Sequence, residues 1–305
     1  MPNYGITTED TVDQAIRPML AASMYVRENT AVMTQPGVVR RVTLKNGDGE
    51  SYREPKYDAL GDAQALTSGV DMQIAQQITD TLLTVTPSEV GTQVIIPKRV
   101  FRIVRDNMWT VIGKLCGDSM VRKRDKDGLT QFSSFATDLG AAARALTYNY
   151  IMAGQSAIQG DTEPGPNPIH LVHHSHAYFL LWKNLAGLTG MSGTAMTSGS
   201  TNNIAPIPAG VSQDVILNGF VGKTIAGVNL WQDNNITKDA SDDAIGGIFS
   251  REALLHVQAM TPTIEKEYDA SLRAWEINYV DEYAWGEYRD AWGRIMTFDA
   301  VTPTS

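Results

Sequence analysis

The stretch from residue 98 to about residue 132 constrains this chain most. Phe101, Val104, Met108, Val111, Ile112 and Leu115 recur there at steps of three and four, with Arg99, Arg102 and Arg105 set on other faces. The spacing predicts one long amphipathic helix, closed by the charged run "RKRDKDG" with Gly128 as its breaker. Asp125, Asp127 and Gly128 have part of the look of a calcium loop, but no Glu stands at its closing position, so no calcium site is expected.

The chain before this helix reads mostly as strand. Residues 8–30 open with a cap and acids and then turn apolar, which predicts a helical arm kinked near Pro18. Residues 38–44 and 51–57 flank Asn46-Gly47-Asp48-Gly49, a β-hairpin signal. Residues 58–81 are small and polar, with little that could build a core. Beyond them Val90, Thr92, Val94 and Ile96 alternate as in a strand. Two extended segments around a weakly hydrophobic tip predict a long projecting hairpin loop, and loops of that length usually have work to do.

Three stretches invite an enzymatic reading. "IHLVHHSHAYFLLW" holds His170, His173, His174 and His176, four of the five histidines. On a helix, three of them would share a face and could bind zinc. Pro164, Pro166 and Pro168 instead bring the chain in extended, so "IHLV" reads as a short buried strand and Ser175 as the cap of a helix carrying Ala177, Phe179, Leu180 and Leu181. The rings then scatter around a turn, and no metal or other cofactor is expected. "LNGFVGKTIAG" ends like a phosphate-binding loop, but Leu217 stands where the opening glycine should, so a hairpin between 215–217 and 225–230 is the better reading. "MSGTAMTSGSTNN" lacks the order of a nucleophile elbow and reads as a loop. The carboxylates near the end of the chain alternate with Trp275, Ile277 and Tyr279, with "RIMTFDA" as a last strand, and look like the outer edge of long strands rather than an acid–base pair. No catalytic constellation stands out.

Composition sets the outer bounds. The 305 residues are 43% hydrophobic, ample for a sizeable core, and one cysteine, Cys116, excludes an intrachain disulfide framework. No apolar run is long enough to span a bilayer and the N-terminus lacks a signal-peptide pattern, so a soluble protein made in a cytoplasm is expected. A net charge of −9 argues against a protein whose main work is gripping nucleic acid. Residues 98–127 nevertheless hold nine Lys or Arg against four acids, and residues 261–305 nine acids against four bases. Opposite signs on one chain suit self-association.

The order of these parts resembles the major capsid proteins of tailed bacteriophages with the Hong Kong 97-type fold. The residues that carry the likeness are "TVTPSEVGTQVIIPKRVFRIVRDN", "MVRKRDKDGLTQFSSFATDLG", "NPIHLVHHSHAYFLL" with "LNGFVGKTIAGVNLWQDNNI", and the span from "GGIFSREALL" to "RIMTFDA". The resemblance implies an α+β fold with an N-arm at 1–36, an E-loop and its base strands at 37–90, and a P-domain with a spine helix at 91–144. An A-domain at 145–255 and further P-domain strands at 256–305 would follow. It implies a structural protein, not an enzyme, that builds an icosahedral head from hexamers and pentamers of itself around double-stranded DNA, without sequence-specific binding and without a membrane. Portal, scaffold or decoration proteins would be partners, and the protein would be made in the cytoplasm of a bacterial host and end in the virion capsid. Arg99, Arg102, Arg105, Arg53, Glu54 and Lys56 are the candidate inter-subunit contacts. An encapsulin-like compartment of the same fold is the alternative, and a metal-dependent hydrolase using the histidines a third.

Overall fold

The computed structural model describes residues 31–45, 49–63, 65–69, 71, 75–103, 108–189 and 224–303. The sequence predictions for a helix at 8–30, a loop at 191–203 and a strand at 215–217 fall outside them, as do Arg105, Gly222 and Lys223.

Two sheets form the body. The first is built on two long antiparallel strands, β9 (Leu254–Asp269) and β10 (Ala274–Glu287), with β1 (Arg40–Thr43) on one edge and β4 (Ser88–Pro97) on the other. The turn from β9 to β10 is tied by the Asp269 carboxylate, which accepts the N–H of Ser271 at 2.7 Å and of Leu272 at 3.2 Å. Register between the two strands shifts at Asp281. A bulge of this kind re-aims a side chain, and Asp281 lies fully buried in an ion pair with Arg124.

Across this sheet lie α1 (Lys98–Ile103) and the long helix α2 (Met108–Thr130). Val100, Ile112 and Cys116 pack on Ile96 and Ile277. The predicted stripe is only partly the buried one: Leu115, counted as core, is 52% exposed, and Met120 is buried in its place further along. Gly128 does not stop the helix either. The Trp285 ring lies against it, so close that a Cβ would come within 2.8 Å of Cζ2, and the glycine serves that approach.

The second sheet runs in the order β11 (Gly293–Asp299), β8 (Asp243–Ser250), β5 (Ile169–His173), β7 (Val228–Gln232), β6 (Thr224–Ile225). All five residues of β5 are buried, and α4 (Ser175–Thr189) starts at Ser175, as the proline run and the serine predict. Leu171, Tyr178, Ile248 and Phe298 share a core with Ile151 of α3 (Tyr148–Gln159). The last strand, β11, joins this sheet beside β8 rather than the sheet of β9 and β10, so the sheets do not divide at residue 256. The strand predicted over 225–230 is broken by a tight turn at Ala226 and Gly227, whose φ values are 53° and 81°, so that β6 pairs with β7; its predicted partner at 215–217 lies outside the described residues.

A two-stranded ribbon, β2 (Tyr52–Tyr57) with β3 (Asp80–Val85), completes the fold. It corrects the first hairpin: 38–44 and 51–57 do not pair with each other. β1 runs parallel to β9, where Val42 packs with Leu255 and Val257, and β2 takes β3 as its partner. A turn signal such as Asn-Gly-Asp-Gly marks a change of direction, whereas apolar packing selects the partner strand. The described residues from 58 to 79 form no helix or strand, close to the loop predicted at 58–81, of which Asp80 and Thr81 belong to β3. Among the described residues no helix is long and apolar enough to cross a membrane.

Candidate inter-subunit surfaces

The histidines stand at the junction of β5 and α4, where the His174 and His176 rings meet edge to face at 4.6 Å. Trp231 donates its indole N–H to His170 Nδ1 at 3.0 Å. His173 Nε2 lies 3.1 Å from the Met296 carbonyl, and His173 Nδ1 accepts the His174 N–H at 2.9 Å. His176 Nδ1 lies 3.2 Å from the Ala300 carbonyl. His170, His173 and His174 are buried, and burial lowers each to a pKa of about 4, which keeps the rings neutral.

The ribbon β2–β3 is held to its own body along strand β2. Glu54 pairs with Arg40 at 3.0 Å and accepts the Tyr52 hydroxyl at 2.6 Å. Lys56 donates to the Tyr288 carbonyl at 2.5 Å and lies 5.6 Å from that ring's centre. The next anchor is Glu163, which accepts the Ala59 N–H at 2.7 Å and is ion-paired with Arg289, whose guanidinium also donates to the Tyr57 carbonyl at 2.9 Å. Two of the candidate contacts, Glu54 and Lys56, are therefore engaged within the subunit, while Arg53 points out between them. Glu163 and Arg289 carry no local sequence signal, since each is an ordinary surface charge until the fold brings them together.

Beyond these anchors every described residue from 58 to 79 is exposed, including Leu60, Leu66 and Ile78. The chain holds no lysine or arginine between Lys56 and Lys98, so this tip carries Asp58, Asp62, Asp71 and Asp80 without a compensating base.

The opposite character appears where α1 meets the β9–β10 turn. Lys98, Arg99, Arg102 and Arg273 surround Trp109 and Trp275 in an open depression of about 830 Å³. The two indoles meet edge to face at 5.6 Å, and Lys266 stands 5.6 Å from the Trp109 ring. Arg99 and Arg102, singled out from their spacing, are thus brought together on an exposed aromatic floor. An anionic, partly apolar chain fits such a surface by charge and by apolar contact with the indole rings. The tryptophans belong to this surface as much as the arginines; nothing beside Trp109 in the sequence distinguishes it from a core aromatic.

No protein-family model and no curated protein matches the sequence. Solved structures do. A chain from Mycobacterium phage Che8 is 16% identical with a TM-score of 0.60, covering 93% of this chain and 97% of that one. The capsid of cyanophage P-SCSP1u gives 12% identity and a TM-score of 0.63 over 95% of both chains. The head of Helicobacter pylori bacteriophage KHP40 gives 10% identity and a TM-score of 0.62 over 87% of both. The α+β fold is that of the Hong Kong 97-type capsid subunit, taken along nearly its whole length.

Proposed function

We propose that this chain is the major capsid protein of a tailed bacteriophage, assembling with copies of itself as hexamers and pentamers into an icosahedral head. The observation that carries the reading is the acidic ribbon tip, whose described residues, Leu60, Leu66 and Ile78 among them, are all exposed and would gain cover against another subunit. A basic aromatic depression on the same chain supplies a surface of matching sign. In this reading 1–36 is the N-arm, 37–90 the E-loop with its base strands, 91–144 the P-domain with α2 as spine, and 145–255 the A-domain. Residues 256–305 return to the P-domain through β9 and β10, with β11 closing the second sheet. Arg53, Arg99, Arg102 and Arg105 face neighbouring subunits.

The head encloses double-stranded DNA that an acidic subunit of net charge −9 contacts without reading its sequence. Portal, scaffold or decoration proteins join it, and synthesis takes place in the bacterial cytoplasm. The role is structural rather than enzymatic. The similar structures are phage heads and capsids, which favours this reading over a compartment for protein cargo. Electron microscopy of the purified protein tests it. Closed shells that hold DNA when made during infection are expected, and shells filled with protein cargo, or a small oligomer that never closes, would refute it.

A further inference from the structure

Two carboxyl groups are buried together where α2, the end of β7 and the chain just after residue 30 meet. Asp125 and Asp233 have no exposure, and their side chains hydrogen-bond to each other. Asp125 Oδ1 accepts the Met33 N–H at 2.9 Å and its Oδ2 accepts the Asn235 side-chain amide at 2.9 Å. Asp233 Oδ2 accepts the Val32 N–H at 3.3 Å and its Oδ1 accepts the Asn235 N–H at 2.9 Å. Val32 and Met33 are themselves core residues, packed in one cluster with Phe132 and Phe249. Three distant parts of the chain are therefore tied through one pair of acids.

The charged groups nearby are committed elsewhere. On α2, Arg124 pairs with Asp281, and Asp127 accepts from Tyr283 and Lys123. Beyond β5, whose His173 carbonyl accepts the Asp233 N–H at 3.0 Å, the His173 ring faces the Met296 carbonyl. His174 faces His176 and Lys238, and Lys238 pairs with Asp242. Residues 31–36 bring only uncharged side chains. Two ionised carboxylates are acceptors only, so a hydrogen bond between them requires a proton.

We propose that Asp125 and Asp233 share one proton and act as a clasp that fixes residues 32–33, the root of the N-terminal segment, to the long helix and to β7, and that loss of this proton opens it. Burial, and then the neighbouring Asp125 carboxyl, holds Asp233 well above the usual carboxylate range. The clasp is closed at neutral pH and opens in mildly alkaline solution, where two adjacent negative charges repel in a buried site. It belongs to the folded subunit whatever that subunit assembles into.

The test is amide hydrogen exchange of the peptide holding Val32 and Met33, on the full chain, corrected for intrinsic base catalysis. Between about pH 7 and about pH 9 its protection should fall about tenfold or more in the wild type. In Asp233→Asn, whose amide donates to Asp125 without titrating, protection should not change with pH. Because that variant can fail to fold, infrared spectroscopy of the wild type gives a second readout: the C=O stretch of a buried protonated carboxylic acid, present at neutral pH and lost on alkaline titration. Protection independent of pH in the wild type, an equal loss in a folded Asp233→Asn, or no protonated acid in the neutral spectrum would overturn the clasp.

Discussion

Mild acid should destabilise the unassembled subunit steeply, because four imidazoles are folded away in their neutral form. His173 is fully buried, its ring 5.9 Å from that of Phe298, and desolvation lowers its pKa to about 4. Desolvation lowers His170 and His174 to about 4 as well, and lowers His256 to about 3 with help from Arg124 and Arg41. An unfolded imidazole titrates near about 6.5. Groups lowered in the folded state contribute stability that is complete above that value and is lost as the pH falls below it. At about pH 5 unfolding takes up nearly one proton at each of these four sites. Asp233 acts with the opposite sign: raised in the fold, it is still protonated at that pH and releases a proton on unfolding. The net uptake is about three protons, so stability should fall by about 4 kcal/mol per pH unit around pH 5, against a total of roughly 5–15 kcal/mol for a domain. Urea unfolding of dissociated subunits, followed by tryptophan fluorescence at several pH values, measures the slope directly. In His256→Gln it should drop by about 1.4 kcal/mol per pH unit, the contribution of one proton. A flat profile from about pH 6 to about pH 5, or a slope untouched by that substitution, would refute the assignment of neutral buried imidazoles.

Two further outcomes test the surfaces. Asp58 donates its N–H to the Thr79 carbonyl at 3.3 Å, so the ends of the ribbon tip are already close, and replacing residues 60–78 by a short turn should leave the subunit folded by circular dichroism. The same variant should form no shells, and wild-type shells from it would remove the ribbon from assembly. Changing Arg99 and Arg102 together to Glu should block assembly of empty shells in the absence of DNA while moving the melting temperature little, since like charges at an interface cost several kcal/mol and both side chains are exposed. Normal empty shells with altered DNA retention would place these arginines against the genome.

Much of the framework was legible because it rests on local chemistry. The proline run before Ile169 and the serine at 175 set the passage from β5 to α4, and alternation through Val90 to Ile96 marks β4. Partners were not legible where the choice is made by distant packing. The parallel pairing of β1 with β9 joins Arg40 to Leu255, and nothing near Val42 announces it. Asp125 shows the same limit: flanked by Arg124 and Lys126, it looks like a solvated acid or a fragment of a calcium loop, and only Asp233, Asn235 and the amide of Met33 explain why it is buried.

The long helix marks a different boundary. Apolar residues at steps of three and four are expected to face one core, yet Trp109, Leu115 and Val121 are left 40%, 52% and 43% exposed while Ile112, Cys116 and Met120 turn inward. Periodicity reports which residues avoid water, not which molecule covers them. A helix that must meet its own sheet on one side and neighbouring subunits on another needs apolar residues on both, which blurs the stripe that a monomer would keep sharp. On the proposed reading, the exposed apolar residues of α2, with Ile264 of β9 and Leu272 of the β9–β10 turn, are covered by neighbouring subunits. Shells that form normally after Leu115→Asp and Ile264→Asp would show that these positions stay in water and that the blurred stripe has another origin.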